Sequence, residues 1–348
     1  MSDYLYGNTR LRASKSALLS PADLTSLANC PSLDAYYDRL MRTTYRNDVE
    51  IALAQFSGLA VLSHLLRTHQ AETIKKLRGF YEGKIKEMIE RFLWRYEVHN
   101  IKTILRSQTV HEDPGLVSAT LIPTGLVPWS VLSTLINAQD VRQVINRVSS
   151  LGLPYALALR GNGTENQTLL QLETHLEQWY FDFTRDTGLT KTPGWTLFSS
   201  MLDMEADFIN LLLAIRSVSA SHTDHNLILD QMVPPGKIST RQLMKFMDAA
   251  TLDEAFAGLP HHPFKIAFQE VEEEYERFEN VSDLEKQLRL LRLKSYLKWY
   301  QNDPLGIGVP LGYLALKQNE QRNLSWIGRC IHFRLPAQTI QDNLEFLT

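Results

Sequence analysis

Apolar residues recur along most of this chain at steps of three and four, the spacing that gathers them on one face of an α-helix. Ile74, Leu77, Tyr81, Ile85, Ile89, Phe92 and Tyr96 form one such stripe and predict a helix from 74 to 106. Phe264, Phe268, Val271, Tyr275 and Phe278 step four, three, four, three, a heptad seam. Asn280 interrupts that seam, and Ser282 followed by Glu285 reads as a capping box that starts a new helix through Leu284, Leu288 and Leu291. The first of these helices carries Glu270, Glu272, Glu273, Glu274, Glu276 and Glu279, the second Lys286, Arg289, Arg292, Lys294 and Lys298. The simpler reading is two solvated faces with weak ion pairs, and the sharper one a charged surface for a partner. No run of alternating apolar and polar residues predicts a sheet. Tyr155 to Leu159 is the only candidate strand.

A second regularity runs at a longer period. An acid, an Asn three residues on, an aliphatic residue next to it and an Arg six residues past the Asn occur three times: Glu97, Asn100, Ile101, Arg106; Asp207, Asn210, Leu211, Arg216; and Glu320, Asn323, Leu324, Arg329. The Asn residues are 110 and 113 positions apart. Leu24, Leu27 and Leu33 share their spacing with Leu132, Leu135 and Val141, and with Leu243, Phe246 and Leu252. Four residues before each leading Leu stands Ser20, Pro128 or Ser239, all good helix starters. Ile122-Pro123-Thr124-Gly125 matches Val233-Pro234-Pro235-Gly236, and a partial further copy closes the chain at Pro336 and Ile340. A fixed long period signals a repeated structural unit. The expectation is an all-α fold of three similar helical units in a threefold internal repeat, spanning 1–115, 116–226 and 227–334, with 335–348 a C-terminal helix closing the repeat.

Asn is a poor helix former because its amide competes for backbone groups, so three of them inside helical patterns need a reason. Asn100 continues the apolar stripe four residues after Tyr96. A buried amide must find partners or cost about 1–3 kcal/mol. The acid three residues earlier shares its face and can brace it. The Arg, six residues on, lies about 240° round the helix. The three groups therefore do not converge on one ligand, and the motif predicts brackets between elements rather than chemistry.

Net charge is −3 over 348 residues, which excludes a general grip on nucleic-acid phosphates. The two cysteines, Cys30 and Cys330, read as buried free thiols of a reducing compartment. The most apolar long stretch, 49–66, contains Glu50, Gln55, Ser57 and His64 and is no membrane span. Among ten histidines none has a metal-ligand spacing, and His222-Thr-Asp-His225 and His261-His262 read as surface loop residues. No nucleotide-binding glycine loop or Gly-x-Ser-x-Gly elbow occurs, so no catalytic residue, metal or cofactor is expected.

Three stretches together resemble one family. They are Tyr4-Leu-Tyr6-Gly-Asn8-Thr-Arg10-Leu-Arg12-Ala, then Asn100-Ile-Lys-Thr-Ile-Leu-Arg106, and finally Pro304-Leu-Gly-Ile-Gly308 with Tyr313-Leu, Lys317 and Glu320-Gln-Arg-Asn323-Leu. The family is that of the C subunits of the A/V-type rotary ATPases, similar to the d subunit of the eukaryotic vacuolar enzyme. One departure is Gly328-Arg-Cys-Ile-His-Phe-Arg334, where the family has a basic, glycine-containing stretch. The resemblance implies three helical units in a funnel, on the cytoplasmic face of the membrane and peripheral to it. It implies a proteolipid rotor ring and the D and F subunits of the central shaft as partners, and torque transmission for ion transport with no active site. It assigns no partner-binding residues. A helical-repeat adaptor unrelated to rotary ATPases is the competing reading.

Overall fold

The computed structural model describes residues 4–161, 167–185, 187–219, 224–259, 262–265 and 281–346. The glutamate run and heptad seam within 266–280, His222, His261 and the Ser282 cap side chain lie outside the described residues. Every regular element described is helical. The order is α1 (Leu5–Lys15), α2 (Pro21–Ala28), α3 (Leu33–Leu40), α4 (Arg46–Leu53), α5 (Leu59–Gly79), α6 (Gly83–Val110), α7 (Pro114–Thr120), α8 (Trp129–Ile136), α9 (Val141–Ser150) and α10 (Ala156–Arg160). There follow α11 (Leu169–Thr184), a 3-10 turn at Thr187–Leu189, α12 (Trp195–Ser219), α13 (His225–Gln231), α14 (Thr240–Met247), α15 (Leu252–Ala257), α16 (Val281–Asn302), α17 (Gly308–His332) and α18 (Ala337–Asp342).

Two expectations are corrected. Tyr155 to Leu159 is not a strand: α10 runs from Ala156 to Arg160, with the buried Tyr155 just before it and the buried Leu159 within it. The 74–106 stripe is not one helix. It breaks between Gly79 and Gly83, where Gly83 takes the left-handed region at φ +56° that a side chain disfavours. Every residue of the stripe is nevertheless buried, Tyr81 at the break included, so burial continues where the helix stops.

Contacts divide the chain into two compact units. Unit 1 is residues 1–156 with 300–348, and unit 2 is residues 157–299. In unit 1, α17 packs on α1, α2, α3 and α5. Its first half is buried all round, from Gly308 to Lys317, as befits a helix run through a core. Around it Tyr36, Leu40, Val49, Leu62, Leu65, Leu324 and Ile327 form one apolar cluster, with Cys330 buried within it and Cys30 half-buried at its edge. Both cysteines are free. In unit 2, α12 packs on α13, α14 and α15. Glu205 of α12 is buried and is held by Arg292 at 3.3 Å and by the Tyr296 hydroxyl at 2.9 Å.

The opening and closing motifs meet inside unit 1. Asn8 Nδ2 donates to the carbonyls of Pro304 (3.2 Å) and Gly306 (3.0 Å), and the Tyr81 hydroxyl donates to Asn8 Oδ1 (2.7 Å). A Cβ on Gly7 would lie 2.4 Å from the Tyr81 ring, so the glycine beside Asn8 makes room for that ring. Arg12 and Lys15 lie over the Tyr300 ring, and Arg10 over Tyr6.

Candidate functional site

The helix pairs α2/α3, α8/α9 and α14/α15 have the same local grammar. Ser20 and Ser239 close capping boxes with Asp23 and Gln242, while Pro128 starts α8 without a side-chain cap. Ser32, Asp140 and Thr251 start the second helix of each pair, each extended and each accepting the N–H three residues on. In each pair the first two apolar positions are buried (Leu24 and Leu27, Leu132 and Leu135, Leu243 and Phe246) and the third is half-buried.

The Asn residues make one bracket three times. Asn100 Nδ2 donates to the Ile122 carbonyl and Oδ1 accepts the Ile122 N–H, both at 2.8 Å. Asn210 does the same with Val233, both at 2.9 Å. Asn323 does so with Glu345, at 2.9 and 3.0 Å. Each amide thus satisfies both polar groups of one peptide residue 22 or 23 positions away, just past a short helix: α7, α13 or α18. The C-terminal α18 therefore holds, beside Asn323, the place that α7 and α13 hold beside Asn100 and Asn210.

Two of the acids hold the other end of the same loops, and the third holds a different segment, near the start of the chain. Glu97 accepts from the Thr124 hydroxyl, from the Val127 N–H (3.3 Å) and from Asn100 (3.2 Å). Asp207 accepts from the N–H groups of Lys237 (2.9 Å) and Ile238 (3.0 Å). Glu320 accepts from the Leu19 N–H, 301 residues earlier, from the Tyr45 hydroxyl (2.7 Å) and from Lys317. Val127, Ile238 and Leu19 each stand one residue before the N-cap of α8, α14 or α2. Acid and amide together thus fix where the chain leaves one helix and enters the next.

All three acids and all three Asn side chains are buried, while Arg106, Arg216 and Arg329 are exposed. Arg216 pairs with Glu285 at 2.8 Å. The arginines do not converge with the other two groups.

Supporting residues escaped sequence reasoning. Arg78 donates to the Thr124 carbonyl (3.0 Å) while paired with Glu90, and Arg185 donates to the Pro234 carbonyl (3.1 Å) while paired with Asp203. His262, expected on the surface, is 5% exposed with Nε2 3.1 Å from Asp207 Oδ2. The buried acid meets a side chain from a distant loop, and adjacent-residue spacing carries no trace of that. His225 does lie toward the surface, 3.3 Å from Asp248.

Two predictions arise from this geometry. A Cβ on Gly236 would lie 2.2 Å from the Asp203 carbonyl oxygen and 2.7 Å from Asp207 Oδ1. Gly236→Ala therefore displaces the loop that feeds Lys237 and Ile238 to Asp207, at a cost of about 1–3 kcal/mol in urea unfolding. An unchanged unfolding midpoint would show that the loop has slack.

Burial raises the Glu97 carboxyl above the ordinary range, partly countered by hydrogen bonds from Thr124, Asn100 and Val127. A raised folded-state value means the native chain holds this proton more tightly than the unfolded chain. The associated stability is complete below the unfolded value of about 4.3 and is lost as pH rises through the raised one. Glu97→Gln removes that component, so stability measured from pH 4 to 8 should fall less steeply with pH in the variant. Parallel pH curves for the two proteins would contradict this.

Among the described residues no group of three or more His, Cys, Asp or Glu could hold a metal, and no helix is long and apolar enough to cross a membrane.

The arrangement fixes loops against helices. Against known proteins, residues 7–343 match the family described as ATP synthase (C/AC39) subunit. The chain is 26% identical over 347 residues to the C subunit of the A-type ATP synthase of Archaeoglobus fulgidus, covering 99% of this chain and 96% of that one. It is 27% identical over 351 residues to the C subunit of the V-type ATP synthase of Deinococcus radiodurans, covering 99% and 91%. It is 26% identical over 358 residues to the A-type C subunit of Methanosarcina mazei, covering 99% and 94%. A match over residues 7–343 means that the chain belongs to the ATP synthase (C/AC39) subunit family.

Proposed function

We propose that this chain is the non-catalytic central-stalk subunit of a V/A-type ATPase, joining the D and F subunits of the shaft to the proteolipid ring. In this reading it lies on the cytoplasmic face of the membrane, peripheral to it, and transmits torque for ion transport. Its helices form three similar units, near 1–115, 116–226 and 227–334, with 335–348 closing the repeat, in a funnel that receives the shaft.

The observation that carries the reading is the acid–Asn bracket made three times, its third acid returning to Leu19 near the start of the chain. A brace repeated in three places suits a collar built of similar units. Each brace also ties a loop to a long helix through charged or amide groups out of water, where such bonds are strongest. A coupler under torque must not slip, so its contacts with shaft and ring are expected to exceed about 1,000 Å².

The test is affinity purification of the tagged chain from detergent-solubilised native membranes, with mass spectrometry of what accompanies it. A small proteolipid together with head and shaft subunits is the expected result. Soluble partners alone would sink the rotor reading in favour of a helical adaptor.

A further inference from the structure

Of the three motif arginines, Arg329 faces an open groove between α5, α7 and α17, and no carboxylate among the described residues pairs with it. The groove measures about 550 Å³, inside the range of about 300–1,000 Å³ usual for ligand sites. Arg67 lines it too. The Arg67 Nε is buried without a hydrogen-bond partner, and the nearest group to its Nη2 is His64 Nδ1 at 3.1 Å, which brings no negative charge. A buried guanidinium donor left unmet is costly, and a carboxylate is the group that best meets it. Burial also lowers the Arg67 pKa, with no nearby acid to offset it. The rest of the lining is mixed, with Leu59, Leu62, Leu66 and the 69%-exposed Phe333 beside the hydroxyl residues Ser63, Thr120 and Ser325.

We propose that this groove docks an acidic peptide segment of a partner protein, with carboxylate oxygens on Arg67 and Arg329 and a neighbouring aliphatic side chain against Leu59, Leu62 and Leu66. Charge complementarity selects the occupant: two cations without a carboxylate partner among the described residues are set in a concave lining with an apolar side. A bilayer of anionic lipid is a poorer match. Bilayer surfaces are held by clusters of about four to eight basic residues, and this groove presents two, while the far end of α7 carries the exposed acids Glu112 and Asp113. The groove's chemistry is independent of the rotor reading, since any partner with an acid beside an aliphatic residue satisfies it.

The probe is acetyl-Leu-Glu-Leu-Glu-amide, titrated into the full chain while the arginine Nε–H signals are followed by NMR and assigned through Arg67→Gln and Arg329→Gln. Shifts confined to those two arginines are expected, with a Kd on the order of 1 mM. Arg329→Gln, at an exposed position where melting should not change, should weaken binding about tenfold, the effect of about 1.4 kcal/mol. The Leu-Gln-Leu-Gln analogue should cause no shift. Equal shifts from the Gln analogue, or from sodium acetate at the same carboxylate concentration, would overturn the proposal. So would undiminished binding by Arg329→Gln. Arginine-dependent binding to phosphatidylglycerol vesicles without any peptide shift would assign the groove to a membrane and also overturn it.

Discussion

Asn210→Ala lowers the unfolding free energy of the chain by about 2–5 kcal/mol. The side chain makes two buried hydrogen bonds to one residue, donating to the Val233 carbonyl and accepting its N–H, each at 2.9 Å. Ala leaves both peptide groups without a partner in a place closed to water, and each buried orphan costs about 1–3 kcal/mol. A water entering the vacated space would bring the sum to the lower end. In a unit of this size the loss corresponds to a fall in Tm of roughly 5–15 °C. Arg216→Ala, in the same motif but on an exposed ion pair, should cost under about 1 kcal/mol. Asn210→Asp keeps the acceptor for the Val233 N–H but turns a second oxygen toward the Val233 carbonyl, so it should not restore stability. Thermal and urea unfolding of the three variants measure all of this. Below its melting temperature Asn210→Ala should still co-purify with whatever proteins accompany the unchanged chain. Unchanged melting with lost association would move Asn210 from the frame of the protein to its interface.

The same reasoning explains why the motif pairs an acid with an amide. A helix leaves its terminal peptide groups unmet, and the loop that follows adds more. Asn satisfies both groups of a single loop residue, which an acid cannot do because it only accepts. The acid satisfies donors only, and in each copy these include an N–H group immediately before an N-cap, where free donors collect. The Asn therefore pins the exit of one short helix and the acid pins the entry to the next. Two residues one turn apart on a long helix set the path of about thirty residues of chain in the first two copies, and in the third they hold Glu345 and Leu19, from opposite ends of the chain.

The helical content, the buried Asn positions and the starts of α2, α8 and α14 were legible in the sequence because each rests on short-range chemistry: a period, a cap, a residue that does not suit its element. The break at Gly79–Gly83 was hidden because Tyr81 and Ile85 continue the apolar stripe through it. The pair of flanking glycines was the available signal, and a continuous stripe outweighed it. Tyr155 to Leu159 misled because five residues with two buried positions four apart are too few to separate one helical turn from a short strand. The brackets' partners were beyond reach for a different reason. An Asn announces that it needs a peptide, but the peptide it takes is fixed by where a loop 22 residues away returns, and nothing at position 19 marks it as the donor to Glu320. Arg78, Arg185 and His262 escaped likewise, their roles set by carbonyls and carboxylates remote in the chain.

Lys317→Met should cost about 3–5 kcal/mol, although Met retains most of the aliphatic stem. Lys317 and Glu320 are each only 4% exposed, joined in a direct ion pair one turn apart on α17. The ammonium also lies 4.6 Å from the centre of the Tyr45 ring, a favourable cation–π position. Burial, and next the Glu320 charge, push the Tyr45 hydroxyl well above its usual range, so it stays a donor to that carboxylate. Without the ammonium, Glu320 keeps its bonds from Tyr45 and from the Leu19 N–H but loses the cation paired with it, and an unpaired buried carboxylate is the expensive state. Glu320→Gln strands the lysine instead and should cost a similar amount. In the double variant neither charge is buried alone, so its loss should be smaller than the two single losses added, by about 2 kcal/mol or more. Arg46–Glu50, an exposed pair one turn apart on α4, is the control and should show coupling under about 1 kcal/mol. If the Lys317 and Glu320 losses simply add, the pair does not act as one, and the tie between α17 and the segment entering α2 rests on the Leu19 and Tyr45 hydrogen bonds alone. Strong coupling would mean that one buried ion pair holds the third acid in place on a residue three hundred positions away.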